Sequence, residues 1–99
     1  MLIISENIES LKKLCNVYNV DKMHLFGSAL TPKFNDQSDI DFLVKFKPIE
    51  LSTYLDNYLH LKEKLESLFG RNVDLLEEQT LKNPILIKSI TDSKELVYG

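Results

Sequence analysis

The segment Ser38-Asp39-Ile40-Asp41-Phe42-Leu43-Val44-Lys45-Phe46 constrains this chain more than any other. Apolar residues recur at every second position, and strand side chains alternate between faces with period 2. Ile40, Phe42, Val44 and Phe46 therefore share a face that must be buried, which forces Asp39 and Asp41 together onto the opposite one. At strand rise their Cα atoms are about 6.5–7 Å apart, so the two carboxylates can converge on one or two hard cations between them. Such a pair repels itself without a counter-charge.

Two further short strands bear on the same chemistry. Residues 23–26 form an apolar run that stops at Gly27-Ser28. A glycine there lets the backbone approach a ligand, and a following helical turn offers free amide N–H groups to phosphate oxygens, with the Ser28 hydroxyl as one more donor. The strand over residues 72–76 puts Val73 and Leu75 on its apolar face and turns Asp74 the other way. A neighbouring strand can thus set a third carboxylate beside the first two. Three carboxylates around oxygen-loving cations are the parts that phosphoryl or nucleotidyl transfer requires: positioned Mg²⁺, charge neutralisation and a base for the attacking hydroxyl.

Helices fill the intervals. Ile8, Leu11, Leu14, Cys15 and Tyr18 follow helical spacing, with Ser5 as the expected cap. Leu51, Leu55, Tyr58, Leu59, Leu65 and Leu68 predict the apolar stripe of a longer helix that Ser52 caps and Gly70 stops. Asn83-Pro84 opens a short helix through Ile90, ahead of a last strand over residues 95–98. Interleaved strands and helices predict an α/β (α+β) fold, a small mixed sheet packed with helices.

Composition removes whole classes of function. At 99 residues the expectation is a single domain over 1–99. Twelve Lys and Arg against 15 Asp and Glu give a net charge of −3, too little positive charge for a direct nucleic-acid face. Cys15, the only cysteine, excludes an internal disulfide and a Cys-based zinc cluster, and is expected to be buried. No run approaches the roughly 20 apolar residues of a membrane span, and Met1-Leu2-Ile3-Ile4 lacks the basic flank of a signal peptide. The expected location is cytoplasmic.

Ten residues separate Ser28 from Asp39, so the chain carries Gly-Ser, ten residues, Asp, any residue, Asp. With its flanks Leu25-Phe26-Gly27-Ser28 and Ser38-Asp39-Ile40-Asp41-Phe42-Leu43-Val44, it resembles the minimal nucleotidyltransferases (MNT) of the DNA polymerase β-like superfamily, antitoxin partners of HEPN-domain toxins. The resemblance runs from the first helix to the last strand and implies the polymerase β-like fold. It matches Asp39 and Asp41 to the pair that holds two Mg²⁺ ions, Asp74 in Asn72-Val73-Asp74-Leu75 to the third carboxylate, and Gly27 and Ser28 to the phosphate-holding turn. It implies ATP as substrate, pyrophosphate and an AMP-modified tyrosine of a HEPN toxin as products, and a hetero-oligomer in which the transferase is the antitoxin.

One departure stands out. Many relatives carry an arginine shortly after Gly-Ser, whereas this chain reads Ala29-Leu30-Thr31-Pro32 with Lys33 the first cation. Phosphate binding is then left to Mg²⁺, backbone amides and Lys33 or Lys45. The alternative function is a catalytically inactive antitoxin, a binding module that neutralises its partner by complex formation. Adenylylation of a small molecule would need an extra acceptor-holding domain, for which 99 residues leave no room.

Other conspicuous residues have simpler readings. Asp36 sits in the turn Asn35-Asp36-Gln37-Ser38, where such residues serve turn geometry. His24 and His60 lack zinc-pair spacing and read as a half-buried strand residue and an exposed helical one. Tyr54 and Tyr58 read as core or rim packing, Lys45 and Lys47 as protection of a strand edge, and Lys62-Glu63-Lys64 as the solvated side of a helix.

Overall fold

The computed structural model describes residues 2–32 and 34–99, apart from the side chains of Ser28 and Ala29. Lys33 and the Ser28 hydroxyl, both expected to meet phosphate, lie outside the described residues. Helices α1 (Leu2–Glu6) and α2 (Ile8–Val17) lead into β1 (Val20–Phe26) and a 3-10 turn, Gly27–Leu30. Strand β2 (Ile40–Phe46), helix α3 (Leu51–Phe69) and β3 (Val73–Glu77) follow, then a second 3-10 turn, Glu78–Thr80, helix α4 (Pro84–Ser93) and β4 (Glu95–Tyr98).

The four strands form one mixed sheet in the order β3-β2-β1-β4. β1 is antiparallel to both β2 and β4, while β2 and β3 run parallel. A parallel pair needs a long crossover, and the 19 residues of α3 supply it. Ile40, Phe42, Val44 and Phe46 are buried, as their alternation predicts. They meet Val20, Met23 and Leu25 of β1, Val73 and Leu75 of β3, Leu11 and Cys15 of α2, and Leu61, Leu65 and Phe69 of α3. Phe42 packs on Phe69 with ring centroids 5.8 Å apart, and Phe46 meets Tyr54 edge-on at 5.6 Å. Cys15 is fully buried, and Tyr54 and Tyr58 are half-buried at the rim of this core.

The opposite face of the sheet is less polar than the alternation suggests. Leu43, on the same side as Asp41, is only 2% exposed. His24 is half-buried and His60 exposed, as expected.

Several local expectations are corrected. Ser5 does not cap the first helix, because the chain is already helical from Leu2; Asn7 stands at the start of α2, and its Nδ2 donates to Ile3 O at 2.8 Å. Glu50, not Ser52, occupies the cap position of α3, and the Ser52 hydroxyl donates to Glu50 Oε2 at 3.5 Å. The apolar stripe of α3 divides: Leu65 is buried, but Leu51, Leu55 and Leu59 are 88%, 62% and 49% exposed. At 100° per residue, Tyr54, Tyr58, Leu61, Leu65 and Leu68 centre on one direction, and Leu55 and Leu59 point about 100° and 140° away from it. Leu51 falls in the first turn, beyond the sheet-covering part of the helix.

The remaining boundaries follow local chemistry. Gly70 ends α3 in the left-handed conformation at φ +65°, and its N–H reaches Glu66 O. Asn83 Oδ1 accepts from the N–H groups of Ile85 and Leu86 at 2.9 and 3.3 Å, which starts α4 as expected. No helix among the described residues is long and apolar enough to cross a membrane.

Candidate active site

The site gathers at one end of the sheet, where β1 finishes and β2 and β3 begin. Phe26, the last residue of β1, pairs with Asp41, and Asp41 stands opposite Asp74 in the parallel register of β2 and β3. Two carboxylates from different strands therefore share a row on the same face, as the alternation of each strand predicts. Asp41 is half-buried and Asp74 exposed.

Gly27 follows directly at φ +71° and opens the 3-10 turn. Its conformation and its lack of a side chain are both used here. A Cβ built on Gly27 would collide with Oδ2 of Asp41 and stand 3.2 Å from Cγ. Only glycine lets this turn lie against the carboxylate. Ser28 is the second residue of the turn.

Asp39 is exposed and lies one residue ahead of β2, outside the ladder of paired strands. Its backbone is nonetheless bracketed. Ser38 O accepts from Arg71 Nη1 at 3.1 Å, and Ile40 N–H donates to Asn72 O at 3.2 Å. Arg71 is the group that sequence reasoning missed. Its signal was an arginine directly after the glycine stop of α3, but nothing local says that its side chain reaches 33 residues back.

Lys45 is not brought to this end of the sheet. It lies four residues along β2 from Asp41, about 13 Å at strand rise, and lines a separate crevice with Asp21, Phe46 and Lys47. A different crevice, of about 410 Å³, adjoins the turn itself between Phe26, Gly27, Leu30, Leu86 and Ile90.

The donor set suits a hard cation. Every candidate ligand is a carboxylate, and Asp41 and Asp74 already face the same side. Among the described residues no group of three or more His, Cys, Asp or Glu side chains closes to metal-ligating distance. Asp39, standing outside the strand ladder, is the member of the trio that the sheet alone does not hold.

Known proteins resemble this chain along most of its length. The family model described as "Polymerase beta, Nucleotidyltransferase" matches residues 9–99. A candidate protein adenylyltransferase of Methanocaldococcus jannaschii is 35% identical over 102 residues, covering 99% of each chain. The protein adenylyltransferase MntA of Thermococcus cleftensis is also 35% identical, over 94% of this chain and 93% of its own. Among solved structures, a candidate minimal nucleotidyltransferase superposes with a TM-score of 0.76 at 27% identity, over 93% of this chain and 90% of that one. The MNT antitoxin complexed with a tri-AMPylated Shewanella oneidensis HEPN toxin shares the fold, with a TM-score of 0.66 at 20% identity over 96% and 71% of the two chains. The chain therefore belongs to the polymerase β-like nucleotidyltransferases, among the minimal members of that family.

Proposed function

We propose that this protein transfers AMP from ATP to a hydroxyl of a partner protein, a tyrosine of a HEPN-domain toxin, and thereby acts as an antitoxin. The observation that carries the reading is the placement of Asp41 opposite Asp74, with the Gly27 turn against the Asp41 carboxylate. Its relatives named protein adenylyltransferases, and the tri-AMPylated toxin bound to a chain of the same fold, support the choice of acceptor class.

Asp39, Asp41 and Asp74 would hold Mg²⁺, which when bound neutralises charge across the triphosphate. The amides of the 3-10 turn at Gly27 and Ser28 grip the β and γ phosphates. In the transfer the acceptor oxygen bonds to the α phosphorus, the bond from that phosphorus to the bridging oxygen breaks, and pyrophosphate leaves. The hydroxyl proton passes to the Asp74 carboxylate, which also orients the acceptor. Asp74 is exposed, so a protein hydroxyl can reach it.

The test is incubation with ATP labelled on its α phosphate and the co-expressed toxin. Label on the toxin that disappears with Asp41→Asn bears the reading out. Toxin neutralised without label, by a complex that forms without ATP and tolerates Asp39→Asn and Asp41→Asn, would replace it with the binding-module alternative.

A further inference from the structure

Asp39 is the carboxylate that the strand ladder leaves unsupported, yet the residues on both sides of it are held by consecutive residues of the α3–β3 turn. Arg71 donates from Nη1 to Ser38 O at 3.1 Å and to Asn35 O at 2.9 Å. Asn72 O accepts from Ile40 N–H at 3.2 Å. The Arg71 guanidinium also lies over the Phe34 ring, 4.9 Å from its centroid. One side chain thus meets the loop at Phe34, Asn35 and Ser38, and its planar face on the ring is what a lysine ammonium does not reproduce.

The loop is also closed on itself. Ser38 N–H donates to Asn35 O, Asn35 N–H to Ser38 Oγ, and Gln37 N–H to Asn35 Oδ1. These bonds shape the turn without fixing where it sits. It is attached to the rest of the molecule through Phe34, which packs against the core, and through Arg71, whose own position is set by the left-handed Gly70 and by Val73 N–H donating to Glu66 Oε2 at 3.1 Å. Arg71 is also three residues ahead of Asp74, so residues 71–74 carry one carboxylate and place another. Around Arg71 a crevice of about 590 Å³ is lined by Asp36, Asp39, Glu63 and Glu66, and Arg71 is its only cation among the described residues.

We propose that Arg71 is a positioning residue for nucleotidyl transfer: its two Nη1 hydrogen bonds and its ring contact hold loop 34–38 so that Asp39 is presented beside Asp41 and Asp74. This rests on the proposed function, because it assigns Asp39 a ligand's task. A carboxylate whose support is lost still binds a cation, but more weakly; loss of such outer partners costs about 10–100-fold in metal affinity.

The experiment is calorimetric titration with α,β-methylene ATP, whose α–β bridge resists transfer, with and without Mg²⁺. Wild type, Arg71→Lys, Phe34→Leu, Asp39→Asn and the double variant Arg71→Lys/Asp39→Asn are compared, with hydrogen exchange of the loop amides recorded for each. Arg71→Lys should melt near the wild-type temperature, exchange faster at residues 36–40, and bind the Mg²⁺-nucleotide about tenfold more weakly. Metal-free binding should not change, and the substitution should add nothing in the Asp39→Asn background. Unchanged loop exchange, equal losses with and without Mg²⁺, or additive losses in the double variant would each overturn the proposal. Absence of Mg²⁺-dependent binding by the folded wild type would instead overturn the proposed function, before any variant is compared.

Discussion

Asp41 and Asp74 stand directly opposite one another on neighbouring parallel strands, two like charges in one cross-strand pair. Like charges so placed destabilise a sheet by a few tenths of a kcal/mol when solvent screens them, as it does at the exposed Asp74. The fold carries this cost at the end of the sheet where the Gly27 turn begins. Asp74→Asn should therefore abolish transfer while leaving the melting temperature equal to wild type or about 1–3 °C higher. Thermal unfolding in metal-free buffer checks this; a fall of several degrees would show that Asp74 supports the fold.

Gly27→Ala should damage activity and stability together. The left-handed φ of +71° costs an alanine about 1–2 kcal/mol, and its Cβ would displace the Asp41 carboxylate. Urea unfolding should show the stability loss, and transfer should fall about 100-fold or more as the carboxylate moves. In an Asp41→Ala background the same substitution should cost less stability, because only the backbone strain is left.

Cys15 should be inert in the native protein. Burial pushes its thiol up from 9.0 to about 12, and its Sγ lies 3.9 Å from the Met23 sulfur. Three pH units of depressed ionisation make the thiolate about 1000-fold scarcer at pH 8, before burial slows access further. Alkylation by iodoacetamide should follow global unfolding, accelerating in urea in step with the unfolding transition. Because the folded thiol ionises later than the unfolded one, its contribution to stability is complete below pH 9 and declines as pH rises toward 12.

His24 should make the fold sensitive to mild acid. Its burial, and then the nearby Lys94, hold its pKa below 6.5, with Lys22 adding to the effect and Glu78 opposing it. Below pH 6.5 the unfolded chain takes up a proton that the folded chain resists, so this contribution to stability is present above pH 6.5 and is lost as pH falls through the lower folded value. The difference in unfolding free energy between wild type and His24→Gln should shift in that direction between pH 7 and pH 5. A constant difference across that range would contradict the assignment.

Much of the local structure was legible from short-range rules. Period-2 alternation sorted Phe42 from Asp41, Asn83-Pro84 opened α4, and Gly70 closed α3, because each depends only on the residues beside it. The helix starts at Ser5 and Ser52 failed for a related reason. A serine is a good cap only where the helix needs one, and α1 and Glu50 had already taken those positions. Leu51, Leu55 and Leu59 misled because a leucine reads as core whichever way the helix is turned.

The sequence by itself determined which side chains lie on which face of each strand, and therefore that Asp41 and Asp74 leave the core. Alternation is a property of the extended backbone and needs no partner. Only the tertiary structure decided that Asp41 meets Asp74, that Gly27 lies against that carboxylate, and that Arg71 reaches back to the loop before Asp39. Those relations depend on strand order, register and the way α3 sits on the sheet. They emerge from the packing of residues distant in the chain, where hydrophobic burial sets positions that no local pattern encodes.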